Sequence, residues 1–185
     1  MWNREFSERS KTQKGFNSRS MRYIGKRNYF NAIELSSEYE RICDENERAA
    51  ALLRRNGFYN ESAYLYAQAM EKRVKSCICG KLNMSIPVFA QKMKDVGHSL
   101  DESVKLLIEI FAAGNAALKD QLTQQILTGV FEGQRFEYLN NTLRYPFYDS
   151  NKADYSMLQV TDADCERISV MNMKLKKFIQ DLNRL

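Results

Sequence analysis

Apolar residues recur at helical spacing along most of this 185-residue chain. From about Asn28 to Asn56, Leu35, Tyr39, Ile42, Ala49 and Leu53 follow a four-three alternation, with Asn46 in the position between Ile42 and Ala49. This predicts one face of a long helix. "LLRRN" and Gly57 then supply a basic last turn and a glycine stop. A second helix is predicted from Asn60 in "NESAYLYAQAMEKRVKSCICGK", with Ala63, Tyr66, Ala67, Met70, Val74 and Cys77 as its buried stripe and Gly80 near its end. Small Ala63, Ala67 and Ala69 permit close approach of a neighbour. The short connection makes the two helices antiparallel neighbours.

The segment 83–97 is less regular. Ser85 is a candidate cap for a short helix with Pro87 in its first turn. After Gly97, Leu100, Val104, Leu107, Ile108 and Phe111 predict another helix, ended or kinked at Gly114. Leu118, Leu122, Ile126 and Val130 predict one more, and "GQRFEYLNNTL" a short helix. Pro146 blocks ordinary continuation and pushes Tyr145 toward extended backbone, so "RYP" reads as a helix exit. A loop of about 14 residues is expected next, long for a compact domain. Thr161 and Asp164 then form a capping signal. The final helix carries Ile168, Met171, Leu175, Phe178 and Leu182, the strictest stripe in the chain, which can face the bundle or a second subunit. No convincing strand is expected. The fold class is all-α, an up-and-down bundle of about five or six helices.

Composition refines this picture. Apolar residues make up 44% of the chain, enough for one core, and no run of 18 apolar residues suggests a membrane span. Four charges in the first ten residues argue against a secretion signal. The net charge is +5, yet residues 1–30 hold eight basic residues against Glu5 and Glu8, leaving the remainder close to neutral. Residues 1–27 therefore read as a basic flexible arm, and 28–185 as the helical domain. Basic residues interleaved with Trp2, Phe6, Phe16 and Tyr23 can track phosphates and stack on bases. The plainer reading, preferred for the arm, is a solvated tail. Cys43, Cys77, Cys79 and Cys165 read as buried or partly buried free thiols in a reducing, cytoplasmic setting. Cys77 and Cys79 lack the usual zinc-pair spacing and His98 is the lone histidine, so no metal site is expected.

"AAALLRRNGFYNESAYLYAQAMEKRVKSCI" resembles the first helix pair of the HEPN family, the higher eukaryote and prokaryote nucleotide-binding domain. The shared features are Gly57, Tyr59, Ala63, Gln68, Ala69, Glu71 and Lys75. "KDVGHSLDESVKLL" resembles the family's later histidine-x-leucine segment, and "LNNTLRYPFYD" its arginine-tyrosine-proline exit. The resemblance covers about residues 30–185. It implies a helical bundle, commonly a homodimer, often encoded in toxin–antitoxin or phage-defence systems. Members bind nucleotides, cleave RNA or serve as interaction modules for a cognate partner protein. Ribonuclease members carry an arginine, four to six residues, then a histidine. Here Arg144 is followed after four residues by Asp149, an acid that is ionised at neutral pH and repels phosphate.

The expected function is therefore an HEPN-like protein, non-catalytic or atypical, binding nucleotide, nucleic acid or a partner, with no cofactor. Binding candidates are Arg144, Tyr145, Glu71, Lys72, Lys75, Arg22, Lys26 and Arg27. Arg144 can instead serve its helix end or pair with Asp149. Glu71 and Lys75 are spaced as an ordinary i, i+4 pair, which alone explains them; they can equally line a groove shared with Arg144. His98 more simply caps a helix than catalyses. "RYPFY" is expected to cover a bundle end. One alternative is a divergent ribonuclease toxin using Arg144 with Tyr148, Asp149 or His98 in place of the absent histidine. Another is an interaction scaffold without a small ligand. No glycine-rich phosphate loop or Ser-His-Asp set is present.

Overall fold

The computed structural model describes residues 34–136 and 142–184. The chain divides between Ala32 and Ile33, and the described residues all belong to the second unit. Arg22, Lys26, Arg27 and the rest of the basic arm lie outside the described residues.

Six α-helices occur among the described residues, so the all-α expectation holds. Helix α1 spans Leu35–Arg55, and a tight turn at Gly57, with φ +80°, returns the chain into α2, Tyr59–Lys81. That turn makes them antiparallel neighbours, and their packing is the most extensive among the described elements. Ser62 Oγ donates to the Ala50 carbonyl at 2.9 Å and ties the pair together.

Helix α2 is the central element, packing against α1, α4 and the last helix. Its predicted stripe, Ala63, Tyr66, Ala67, Met70, Val74 and Cys77, is buried as expected. Removing a side chain such as Met70 from water contributes roughly 1.5–3 kcal/mol. Polar Ser62, Glu71, Arg73, Lys75 and Ser76 are also buried, so α2 is enclosed on nearly every side.

The face predicted for α1 is rotated. Cys43 and Ala50 are its buried positions, Leu35 is exposed, and Tyr39, Ile42, Ala49 and Leu53 are half-buried. The reason is polar. Ser36 Oγ donates to the Ser76 carbonyl at 3.0 Å, and Ser76 Oγ donates back to the Ser36 carbonyl at 2.9 Å. Glu40 and Glu47 turn inward to meet Arg73.

Helix α3, Pro87–Val96, follows with proline in its first turn. Ser85 is not its cap: Ile86 holds that position, and Ser85 Oγ donates to Asn83 Oδ1 at 2.7 Å. Helix α4, Leu100–Ala112, is capped by Ser99 and buries Leu100, Val104, Leu107 and Ile108. It ends where Ala113 and Gly114 adopt positive φ. Helix α5, Ala116–Gln124, widens into a π-helical turn over Gln125–Val130, which the apolar spacing did not reveal. Leu122, Ile126 and Val130 nevertheless face inward as predicted. Of the short helix expected over "GQRFEYLNNTL", Gln134–Phe136 are irregular and 137–141 lie outside the described residues.

The expected long loop contains a hairpin instead. Strands β1, Phe147–Asp149, and β2, Asp154–Ser156, pair antiparallel with Tyr148 opposite Tyr155. Asp149 Oδ1 accepts from the Asn151 amide at 2.9 Å, an Asx-type turn that starts the reversal. Asn60 then fastens the segment that follows: its Nδ2 donates to the Leu158 carbonyl and its Oδ1 accepts from the Val160 amide, both at 2.9 Å.

The last helix, α6, spans Asp162–Leu182. Its capping box forms as predicted: Thr161 Oγ1 accepts from the Asp164 amide, and the Asp164 carboxylate accepts from the Thr161 amide. Ile168, Met171, Leu175 and Leu182 are buried against the bundle, with Phe178 half-buried beside them. Among the described residues no helix is long and apolar enough to cross a membrane.

Candidate functional site

Tyr64, Gln68, Glu71 and Lys75 stand at i, i+4, i+7 and i+11 on α2, so they share one face. The helix geometry that buries the alanine stripe fixes this face as well, because both belong to one rigid rod. Tyr64 and Glu71 are about 10 Å apart along the axis, from 1.5 Å of rise per residue. A different loop residue closes each end of the face.

At one end lies Arg144. Its guanidinium carbon is 5.4 Å from the centroid of Tyr64 and 5.2 Å from that of Tyr145, a cation held by two rings. No carboxylate lies within ion-pair distance of Arg144 among the described residues, Asp149 included. Tyr145 is 55% exposed. Arg144 lies in a turn ahead of Pro146, and from there its side chain reaches over Tyr64 of α2.

At the other end lies a charge cluster, buried except for His98, whose side chain is 83% exposed. Glu71 retains 1% of its side-chain exposure and Lys75 4%. Lys75 Nζ donates to Glu71 Oε1 at 2.6 Å and to the Gly97 carbonyl. Lys72 Nζ stands 3.2 Å from the same carboxylate oxygen, and His98 Nδ1 3.5 Å from it. Glu71 Oε2 is buried with no hydrogen-bond partner among the described residues. Gly97 explains why this works: its positive φ of +59° turns the backbone so that its carbonyl meets Lys75 and places His98 over Glu71.

Several expected residues therefore converge and others separate. Glu71, Lys72, Lys75 and His98 form one cluster, and Arg144 with Tyr145 forms the far end of the same face. Lys75 is enclosed, and its ammonium is committed to protein acceptors. Tyr148 and Asp149 belong to the hairpin. Tyr148 packs edge-on against Tyr155 at 5.3 Å, and Asp149 serves the turn. "RYPFY" does not cover a bundle end: Phe147, Tyr148 and Tyr155 are exposed, because the hairpin carries its aromatic side chains outward. Tyr64 escaped the sequence reading, although its helical spacing to Gln68 and Glu71 was available in the sequence.

A second polar set lies between α1, α2 and α6. Arg73, only 4% exposed, donates from Nη1 to Glu40 at 2.8 Å and from Nη2 to Glu47. Asn172 Nδ2 donates to the same Glu47 oxygen at 2.8 Å. Burial pushes the Glu47 carboxyl upward, but the hydrogen bonds from Asn172 and Arg73 and the Arg73 charge outweigh it and leave the group below the usual range. Burial pushes the neighbouring Cys43 thiol up to about 12, partly offset by Arg73. The cysteines are free thiols, three buried and Cys79 half-buried, as their sequence context predicts.

No family model matches the chain, and no curated protein or solved structure matches it.

Proposed function

We propose that this is an HEPN-like, non-catalytic helical protein that binds a phosphate-bearing ligand, a nucleotide or single-stranded RNA, along the polar face of α2. The observation that carries the reading is Arg144. It is a guanidinium without an ionic partner among the described residues, oriented by Tyr64 and Tyr145. A cation that already has its counter-ion gains little from phosphate, whereas one held only by rings keeps its donors for a ligand. Exposed Tyr145 offers a ring for a base beside that cation. Lys72 and Lys75 against Glu71 add one further net positive charge to the face.

The non-catalytic part rests on what stands near Arg144. The supports of Arg144 and His98 on α2 are about 10 Å apart by helical rise, and Tyr148 and Asp149 are engaged in the hairpin. Among the described residues no histidine stands beside the arginine. A second reading, an interaction scaffold for a second copy or a cognate protein, draws support from the apolar side chains that the hairpin region exposes: Phe147, Tyr148, Tyr155, Met157 and Leu158.

The test is fluorescence anisotropy with a labelled single-stranded RNA, with cleavage of that RNA followed in the same samples, for wild type, Arg144→Ala and Tyr145→Ala. Binding without cleavage is expected. Each substitution should weaken it by about 1–3 kcal/mol, the range for charge-assisted and stacking contacts. Loss of Arg144 should also flatten the salt dependence by about 0.7 in log–log slope. Cleavage abolished by Arg144→Ala would replace this reading with a divergent ribonuclease. Binding indifferent to both substitutions would remove the face from consideration.

A further inference from the structure

A cleft of about 660 Å³ lies between the β-hairpin, residues 134–136 and the first half of α6. Its size is that of a small-molecule site. One wall belongs to the core: Phe136, Ile168 and Met171 are buried. The other wall is Phe147, Met157 and Leu158, exposed by 48%, 45% and 41%. Strand alternation sorts the hairpin's side chains. Phe147 and its cross-strand partner Ser156 line the cleft, whereas the Tyr148–Tyr155 pair does not. Asn60 fixes the foot of this wall through its bonds to Leu158 and Val160. Three large apolar side chains thus stay in contact with water along one concave trough, which scattered surface residues do not explain. Met157 and Met171 give the lining unbranched side chains that repack around a flexible chain.

The charged groups of the lining are Arg135, Arg167 and Asp164, and two of the three are committed. Asp164 Oδ2 accepts from the Thr161 amide and hydroxyl. Those bonds, and then the charge of Arg167, hold its carboxyl below the usual range. Arg167 itself donates from Nε to Glu132 at 3.1 Å. Arg135 differs: it is exposed and makes no hydrogen bond or ion pair among the described residues. Asp101, which borders an adjoining cleft together with Arg135, turns its Oδ2 to the Phe136 amide. The trough therefore has an apolar interior and one uncommitted guanidinium at its margin.

From this arrangement we propose that the cleft binds an aliphatic monocarboxylate, a fatty acid, with its chain between the hairpin wall and α6 and its carboxylate on Arg135. A carboxylate matches a single guanidinium in charge and in the geometry of its paired donors. A dianion would bring a second charge that no uncommitted cation among the described lining residues meets. Each methylene entering the trough leaves water, which tightens binding about fourfold. The inference does not rest on the Arg144 face, which shares no residue with this lining. It assigns Phe147, Met157 and Leu158 to a small ligand rather than to a partner protein.

Isothermal titration calorimetry of the full chain tests it, with octanoate, decanoate and 1-octanol as probes below their micellar concentrations. Wild type should bind decanoate roughly tenfold more tightly than octanoate, from two further methylenes. It should bind octanoate roughly tenfold more tightly than octanol, from the charge-assisted contact. Arg135→Ala should erase the preference for octanoate over octanol while keeping the dependence on chain length. Met157→Gln, at an exposed position that the fold tolerates, should weaken all three probes severalfold. Arg144→Ala should change nothing. Circular dichroism of each variant confirms that the fold is kept. Absence of decanoate binding by wild type, indifference to chain length, a preference for octanoate that survives Arg135→Ala, or unchanged binding in Met157→Gln would each overturn the proposal. Loss of binding in Arg144→Ala would overturn it as well and assign the acid to the Arg144 face.

Discussion

Replacing Lys75 by Met tests how far the α2 charge cluster is shielded from water. The substitution keeps the length of the side chain and removes only its charge and donors. Glu71 would remain with 1% of its side chain exposed, having lost its 2.6 Å partner, while the Gly97 carbonyl would lose its donor. Breaking a buried ion pair from one side costs about 3–5 kcal/mol. Lys72 at 3.2 Å and His98 at 3.5 Å from the same oxygen soften the loss, so the lower end, about 3 kcal/mol, is expected. For a chain of this size that corresponds to a fall in Tm of roughly 6–12 °C. The informative comparison is the double variant Glu71→Met with Lys75→Met, which removes both charges together. It should recover most of the stability, because an apolar pair spares the desolvation of two ions. Urea denaturation of wild type, both single variants and the double gives the coupling directly. A cost below about 1 kcal/mol for Lys75→Met, the level of a solvated surface pair, would refute the reasoning.

Two further outcomes follow from local geometry. Thr161→Ala should cost about 1 kcal/mol, since it removes the side-chain acceptor of the α6 capping box, and thermal melts read it as a drop of a few degrees. The Glu47 carboxyl sits lower in the folded chain than when unfolded, so its stabilising contribution is complete above its unfolded value near 4.5 and is lost as pH falls through the folded value. Melting temperature should therefore decline more steeply on acidification below that point in wild type than in Glu47→Gln; parallel curves would contradict the assignment.

Local signals are legible in the sequence. The α6 stripe, the Thr161–Asp164 box and the Gly57 turn each depend on residues within a few positions, so their meaning survives without knowledge of the rest of the chain. The α1 face was displaced because a count of apolar positions is blind to Ser36, Glu40 and Glu47, which turn inward only because Ser76 and Arg73 await them across the turn. The hairpin was missed because its strands are three residues each, too short for an alternation to register. For the candidate site, Arg144, Tyr145, Glu71, Lys72, Lys75 and His98 could all be named in advance. Their division between a buried cluster and an exposed end depends on contacts such as Arg144 over Tyr64, which no local pattern encodes.

The enclosure of α2 has a consequence for how the bundle keeps its register. Arg73 and Lys75 are two residues apart, which sets them about 200° apart around the helix axis. One is keyed into Glu40 and Glu47 of α1, the other into the Gly97 carbonyl beyond the helix, its partner Glu71 being carried by α2 itself. Alanines and methionines tolerate a small rotation of the rod, because greasy surfaces slide at modest cost. Two charged keys on opposing sides do not, since any turn or one-residue slip of α2 withdraws both from their locks together. The helix is thereby indexed in the bundle like a shaft with two pins, and the polar face that carries Tyr64 inherits its bearing from them.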